Sequence, residues 1–585
     1  MKNRYLCIII VVISGIAAKG QSAGADFAAT DALGRVLPAY KETGPQRKDK
    51  FIGLFYWTWH TRQSEGHAPF NTTEYLSRNP KAKENYQDPI WPRTNSPWFW
   101  AEPLFGYYIN TDEWVLRKHA EMLADAAVDV IIFDCTNGNM TWKESYLKLC
   151  EVFSRARKDG VNTPKIAFML PFGPTPGAAE SIAELYKDLY SKALYKDLWF
   201  YWKGKPLIMA YPGAARDNKD ISNFFTFRPG QPVYDKGPQQ EDHWGWLEIF
   251  PQHGFVKTKK GYEQAVVGVA QNWSKERGLT AMNAPGAFGR SYTYQKGHIS
   301  EPGAVNYGYN FQEQWDRALE IDPEFIFITG WNEWIAGRYE TWMKQSNAFP
   351  DEFDQEGSRD IEIMKGGHGD NYYYQMIANI RRFKGMAKPQ EVSAPRTIRI
   401  DGNFSDWNKV SPEFSAYKGN TLHRDSRGWG NLHYTNKTGR NDITGARVAR
   451  DNDYIYFYIE TAVAISPRTG PNWMQLFIDV DMNRNTGWEG YDFVVNRHSP
   501  GKKAFIEKTD YAWNWKLAGE VDYAVKGNQL EIRIPKALLG LLHQDFSIGF
   551  KVADNLQHEN DIMDFWLSGD AAPAGRANFN YNTLP

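Results

Sequence analysis

The sequence predicts an α/β fold class, a (β/α)8 TIM barrel followed by an all-β sandwich domain. Three observations predict it. From about residue 50 to 385, short and nearly continuous apolar runs alternate with helical patterns, as parallel strands buried on both faces by helices do. The alternation stops at Met386-Ala-Lys-Pro-Gln-Glu-Val-Ser-Ala-Pro395. Beyond that stretch, short β-prone runs separated by Asn, Asp and Gly turns take over.

Seven strands are expected in the first region: 51–57, 128–133, 165–170, 205–210, 244–250, 265–269 and 325–330. Helical spacing is expected over 112–127, 141–158, 178–193, 311–321 and 372–383. An eighth strand has no clear run, and a doubly wound open sheet is the alternative. No Gly-rich phosphate fingerprint follows the first strand, which counts against a nucleotide-binding version. In the second region, strands are expected over 397–400, 454–459, 474–479, 492–495, 530–534 and 546–552.

The start of the chain, residues 1–24, has a basic beginning, an apolar run and then small residues, as a secretory signal peptide does. The expected domains are therefore 1–24 signal peptide, 25–385 barrel, 386–395 linker and 396–585 β-sandwich. A secreted or periplasmic location, with association at the cell surface as one form of it, is the expectation, with no integral membrane segment after cleavage. Past the signal only Cys135 and Cys150 remain, too few for a disulfide framework. No base marks Cys135 as a nucleophile.

Charge points away from nucleic acid, with 68 Lys and Arg against 69 Asp and Glu and a net charge of -1 in 585 residues. Aromatic residues make up 15% of the chain and include 23 Trp. Many of these Trp lie in polar, Pro- or Gly-rich stretches, where flat apolar faces beside hydrogen-bonding groups suit sugar rings as well as they suit a core.

In a parallel barrel the chemistry collects just past the C-terminal ends of the strands. Those positions hold Trp57-Thr-Trp-His60, Asp134, Glu248, Gln271-Asn-Trp273 and Trp331-Asn-Glu-Trp334. No Cys/His cluster suggests a catalytic zinc, and no cofactor is expected for catalysis. Acids, amides and indoles at one rim suit glycoside hydrolysis, which needs two carboxyl groups, one of them protonated. Glu333, between two Trp, is the expected acid, because desolvation raises a carboxyl pKa; capping a helix or pairing with Arg338 is its structural alternative. Asp134 is the expected second carboxylate, with an Asx turn as its alternative. Trp57, His60, Asn332, Trp331, Trp334, Trp273 and Glu248 are the expected substrate-binding residues. Glu340 reads as an exposed loop charge.

Phe55-Tyr-Trp57, Gly106-Tyr-Tyr108, Ala127-Val-Asp-Val-Ile-Ile-Phe-Asp134 and Gly330-Trp-Asn-Glu-Trp334 together resemble the family 71/99-like group of glycoside hydrolases over about residues 48–385. The resemblance implies a (β/α)8 barrel acting on α-linked glycans such as α-mannans or α-glucans. Family-99 enzymes usually show Asn-Glu-Trp-x-Glu with both acids at work; here the second position is Ala336. The departure leaves a non-catalytic glycan-binding protein as the alternative to an exported hydrolase of polysaccharide degradation. Ile400-Asp-Gly-Asn-Phe-Ser-Asp-Trp407, the run 448–457 and Leu476-Phe-Ile-Asp-Val-Asp481 resemble a family-9-like carbohydrate-binding module, with Trp473, Trp488 and Trp515 as candidate sugar platforms. Asp479, Asp481, Asn483 and Asn485 alternate as the ligands of a structural calcium loop do, although the EF-hand pattern fails at Arg484 and Gly490. A solvated hairpin turn is the other reading.

Overall fold

The computed structural model describes residues 27–61, 68–91 and 98–584; the expected signal peptide lies outside them. Among the described residues no helix is long and apolar enough to cross a membrane.

The alternating pattern folds into one curled, mainly parallel sheet. Strand Phe325–Thr329 lies between Gly261–Gly268 and Phe51–Tyr56, and the parallel ladder continues through Val130–Asp134, Lys165–Met169, Lys205–Met209 and Thr226–Phe227. The main-chain ladder stops short of an eight-stranded ring. The expected strand at 244–250 contributes only Trp244–Gly245, which pairs with Gly230–Gln231 in a separate two-stranded ribbon. The Gln264 amide bridges the remaining gap, donating to the Gly245 carbonyl at 2.8 Å and accepting the Gly245 N–H at 3.1 Å.

Helices form at Glu113–Asp125, Lys143–Lys158, Ala178–Leu185, Tyr309–Ile321 and Asn371–Lys384. Asp112 caps the first by accepting the N–H groups of Trp114 and Val115. Each strand sends alternate side chains to two different cores. Ile52, Leu54, Tyr56, Ile131, Phe133 and Ile328 pack outward against helix residues such as Leu123, Phe153 and Trp315. Phe55, Ile132, Ala167, Met209, Val266 and Phe325 point inward and meet one another. Gly53 makes room for the largest of these, since a Cβ there would lie 2.3 Å from the Phe325 ring.

Aromatic rings seal the end of this interior where the strands begin. Phe325 lies 4.8 Å from Trp244 and 5.8 Å from Trp202 between ring centres, and both indole N–H groups donate to Glu263, which Arg228 neutralises. The polar groups are therefore left at the opposite end.

The rest of the chain is almost entirely β. Two halves of a twelve-stranded sheet share the long strand Lys516–Lys526 and face each other across a common core. Phe457 of one half meets Phe550 of the other at 5.4 Å. The expected strand 397–400 does not form a ladder. Arg396 N–H bonds the Arg450 carbonyl, and buried Ile398 packs against Trp407 and Tyr456, so side-chain burial rather than pairing holds the segment. The first described strand, Ala28–Ala29, joins the edge of this second sheet by pairing with Ala577–Asn582.

A hairpin, Arg424–Arg427 with His433–Asn436, docks the β region onto the parallel sheet's helices and loops. Buried Arg424 meets buried Asp112 at 2.7 Å and lies over the Trp114 and Tyr434 rings. The Tyr434 hydroxyl accepts the Tyr107 N–H, and Trp429 N–H donates to the Tyr107 carbonyl. Replacing Arg424 with Met should leave Asp112 buried without its cation, at a cost of about 3–5 kcal/mol. Denaturant unfolding should show a lower midpoint for this variant than for an exposed control such as Lys388→Met.

Candidate active site

The strand Phe325–Thr329 ends at Gly330, whose φ of +106° reverses the chain. A Cβ at Gly330 would lie 2.2 Å from the Arg359 carbonyl oxygen, so only glycine lets the two segments touch. Trp331 N–H then bonds the Phe55 carbonyl, and the Trp331 carbonyl accepts the N–H groups of Ile361 and Glu362. These contacts clip segment 359–362 against the end of the strand and bring Arg359 to Glu333.

Glu333 is 3% exposed. Its N–H makes a short hydrogen bond to Asp360, whose other oxygen accepts the Trp100 indole N–H at 2.6 Å. Its Oε2 accepts a hydrogen bond from Arg359 Nη2 at 3.1 Å. The same guanidinium lies 3.5 Å from Asp351 and 3.4 Å from Glu352. Burial, with the charges of Asp351, Asp360 and Asp134 added, pushes Glu333 up to about 8, and the single Arg359 cation does not reverse the shift. Burial also raises Glu352 strongly and Asp360 to about 7. Arg359 Nη1 is buried without a hydrogen-bond partner among the described residues.

Asp134 closes strand Val130–Asp134 and is 3% exposed. Its Oδ1 accepts the Thr136 N–H and hydroxyl, the Asx-type turn. Burial raises it to about 6, and its charge is felt at Glu333, so the two belong to one electrostatic neighbourhood. Neighbouring Cys135 is fully buried and its thiol is pushed up by desolvation, which leaves no thiolate for nucleophilic chemistry.

A continuous arc of rings runs along this end of the sheet. Trp142 lies 5.0 Å from Trp59, and Trp59 stacks on Trp57 at 4.2 Å. The arc continues through Phe55 to Trp246, then to Tyr234 and Trp273, with steps of 6.0–6.2 Å. Trp59 donates its indole N–H to the Asp134 carbonyl at 3.3 Å, which anchors one arm beside that acid. Tyr234 feels the charges of Arg359, Asp351 and Glu333, which places the other arm beside the acid cluster. Trp59, Trp142, Trp246 and Trp273 are only partly buried, so ring faces remain available. The Trp57 indole N–H is buried without a partner.

The other residues named from sequence sit differently. Both ends of the Asn332 amide serve the fold, accepting from Trp57 N–H at 2.8 Å and donating to the Tyr108 hydroxyl at 3.1 Å. Trp331 is fully buried against His119 and Tyr373. Trp334 is fully buried, stacked on Trp100 at 4.6 Å, with its N–H on Glu362. The two indoles beside Glu333 in sequence thus enter two separate cores. His60 is buried between Phe99 and Tyr108, held neutral by desolvation that lowers it to about 3. Glu248 is fully buried and engaged by His253 at 2.9 Å. Trp59 stands in the strand-end stretch that the sequence singled out, whereas Arg359, Asp351, Glu352, Asp360, Tyr234 and the Trp142 and Trp246 rings did not emerge from sequence reasoning.

In the β region, carboxylate oxygens of Asp479, Asp481 and Asp492 lie within 4.8 Å of one another. Asn483 and Asn485 lie in the adjoining turn, where Asn485 N–H donates to the Asn483 side chain and Asn483 N–H to Asp481. Trp473 and Trp488 are buried, and Trp515 is partly exposed.

No protein-family model matches the chain, and no curated protein matches it. Among solved structures it is similar to the GH99 endo-alpha-mannosidase of Bacteroides thetaiotaomicron in complex with BIS-TRIS-Propane. That similarity is 16% identity over 57% of this chain and 97% of that one, with a TM-score of 0.34. A second structure of that enzyme gives 15%, 57%, 98% and 0.32.

Glu333 has a folded pKa above its ordinary value of 4.5. Its neutral form is the one the fold accommodates, so its contribution to stability is complete below about pH 4.5 and is lost as pH rises towards about 8. Glu333→Gln removes that dependence. The melting temperature of the variant relative to the parent should therefore climb between pH 4.5 and 8, read by calorimetry across that range.

Proposed function

We propose that this chain is a hydrolase of glycosidic bonds, with Glu333 as the general acid. The observation that carries this reading is a buried carboxyl group raised to about 8, held by Arg359 at one arm of an aromatic arc. A glycosidic oxygen is a poor leaving group until it is protonated, and a carboxyl group kept neutral at pH 7 can supply that proton. Aromatic faces bind sugar rings by covering their apolar sides, and an arc of seven rings offers room for several sugar units. The partly buried Trp59, Trp142, Trp246 and Trp273, with the Trp57 N–H, are the substrate-binding set this favours. The second carboxylate required by the chemistry comes from the acids that share the field of Glu333, namely Asp134, Asp351 and Asp360. Export, a complete (β/α)8 barrel, α-linked substrates and glycan binding or a structural calcium in the β region belong to the same proposal.

The test is Glu333→Gln against a panel of oligosaccharides and aryl glycosides. Hydrolysis of natural glycans should fall by about 10²–10⁴-fold, while substrates whose leaving group needs no proton should lose far less. The parent's activity should decline as pH rises through about 8. If the parent binds several glycans and cleaves none, the arc is a glycan-binding surface and the acid role fails.

A further inference from the structure

Resting on the hydrolase reading, we infer that Asp351 is the second catalytic carboxylate, paired with Glu333 through Arg359. Five acids surround or share the field of that guanidinium. Glu333, Glu352, Asp360 and Asp134 are each no more than 3% exposed. Asp351 alone has a side chain that is half exposed, which makes it the most open of the five to a group arriving from solvent. Several of the buried oxygens are already engaged: Asp134 Oδ1 by Thr136, Glu352 Oε2 by the Arg359 N–H, and Asp360 by Glu333 N–H and Trp100, while Glu352 Oε1 lies 3.4 Å from Arg359 Nε.

Geometry makes the pairing specific. One nitrogen, Arg359 Nη2, contacts Glu333 Oε2 at 3.1 Å and Asp351 Oδ1 at 3.5 Å. The two oxygens can be no farther apart than those distances placed end to end. That limit admits the ~5–5.5 Å separation of carboxyl groups in retaining glycosidases and only touches the lower end of the ~6.5–9.5 Å of inverting ones. Arg359 also has a buried Nη1 with no acceptor among the described residues, a donor for a substrate hydroxyl.

The chemistry balances without a further reagent. The bond between the anomeric carbon and the glycosidic oxygen breaks, its electron pair stays on that oxygen, and the oxygen takes the Glu333 proton. An Asp351 oxygen bonds the anomeric carbon as the glycosidic bond breaks. A water oxygen then displaces Asp351 from that carbon and passes one proton to Glu333, which frees the Asp351 carboxylate and restores the Glu333 acid.

The experiment compares Asp351→Asn, Asp351→Ala, Asp134→Asn and Glu333→Gln on whichever panel glycan the parent cleaves, using the full chain. Asp351→Asn should keep the parent melting temperature, because the side chain is half exposed, and should lose about 10²–10⁴-fold in kcat. Azide or formate should restore part of the turnover of Asp351→Ala on an aryl glycoside. Asp134→Asn should lose less than Asp351→Asn. If Glu333→Gln is inactive while Asp351→Asn stays within a few-fold of the parent, the Asp351 assignment is overturned and the hydrolase reading stands. If neither substitution changes the rate, or if the parent cleaves no glycan, the hydrolase reading fails and the assignment with it.

Discussion

Burial of the Arg359 guanidinium organises this site. The residue is 1% exposed, and it touches Glu333, Glu352 and Asp351 at once. A lone buried cation would be very costly, and so would the acids without it. The buried Glu333 and Glu352 are therefore tolerable only beside the guanidinium, and one positive charge cannot hold all three acids ionised. Some remain protonated, and Glu333 is among them. Gly330 is the backbone condition for the arrangement, since any Cβ there would push the Arg359 carbonyl away.

The same logic extends outward through the fold. The sheet interior is filled by alternate inward side chains and plugged at its lower end by Phe200, Trp202, Trp244 and Phe325. The plug leaves the opposite end for groups that need partners other than hydrocarbon. The β region then supports that end from outside. Trp429 lies in one apolar cluster with Phe99, Trp100 and Trp334, and Trp100 holds Asp360, which in turn holds the Glu333 N–H. A residue from the docking hairpin thus shares a cluster with the indole that holds the partner of the proposed acid.

Much of the scaffold was legible in the sequence because it follows from periodicity. The helices at Lys143–Lys158 and Asn371–Lys384 begin and end within two residues of where their spacing places them. The apolar runs at Phe51–Tyr56 and Phe325–Thr329 form adjacent strands. Residues 244–250 misled because their apolar content serves packing against Phe325 and Phe55 rather than a ladder. The site was legible only in part. Glu333 and Asp134 stand at strand ends, where a sequence can point to them. Asp351 and Arg359 lie in an irregular loop with no spacing rule, and only the Gly330 turn brings them near. Trp331 and Trp334 look like a clamp when read in line, but the chain reversal sends their rings into different cores.

The central claim is that Glu333 is a neutral carboxylic acid at neutral pH. Infrared difference spectroscopy between the parent and Glu333→Gln at pH 7 tests it most directly. The account predicts a carbonyl band of a protonated carboxyl group that is present in the parent, absent in the variant, and lost from the parent as pH rises past about 8. A difference spectrum at pH 7 showing only the bands of an ionised carboxylate would contradict it.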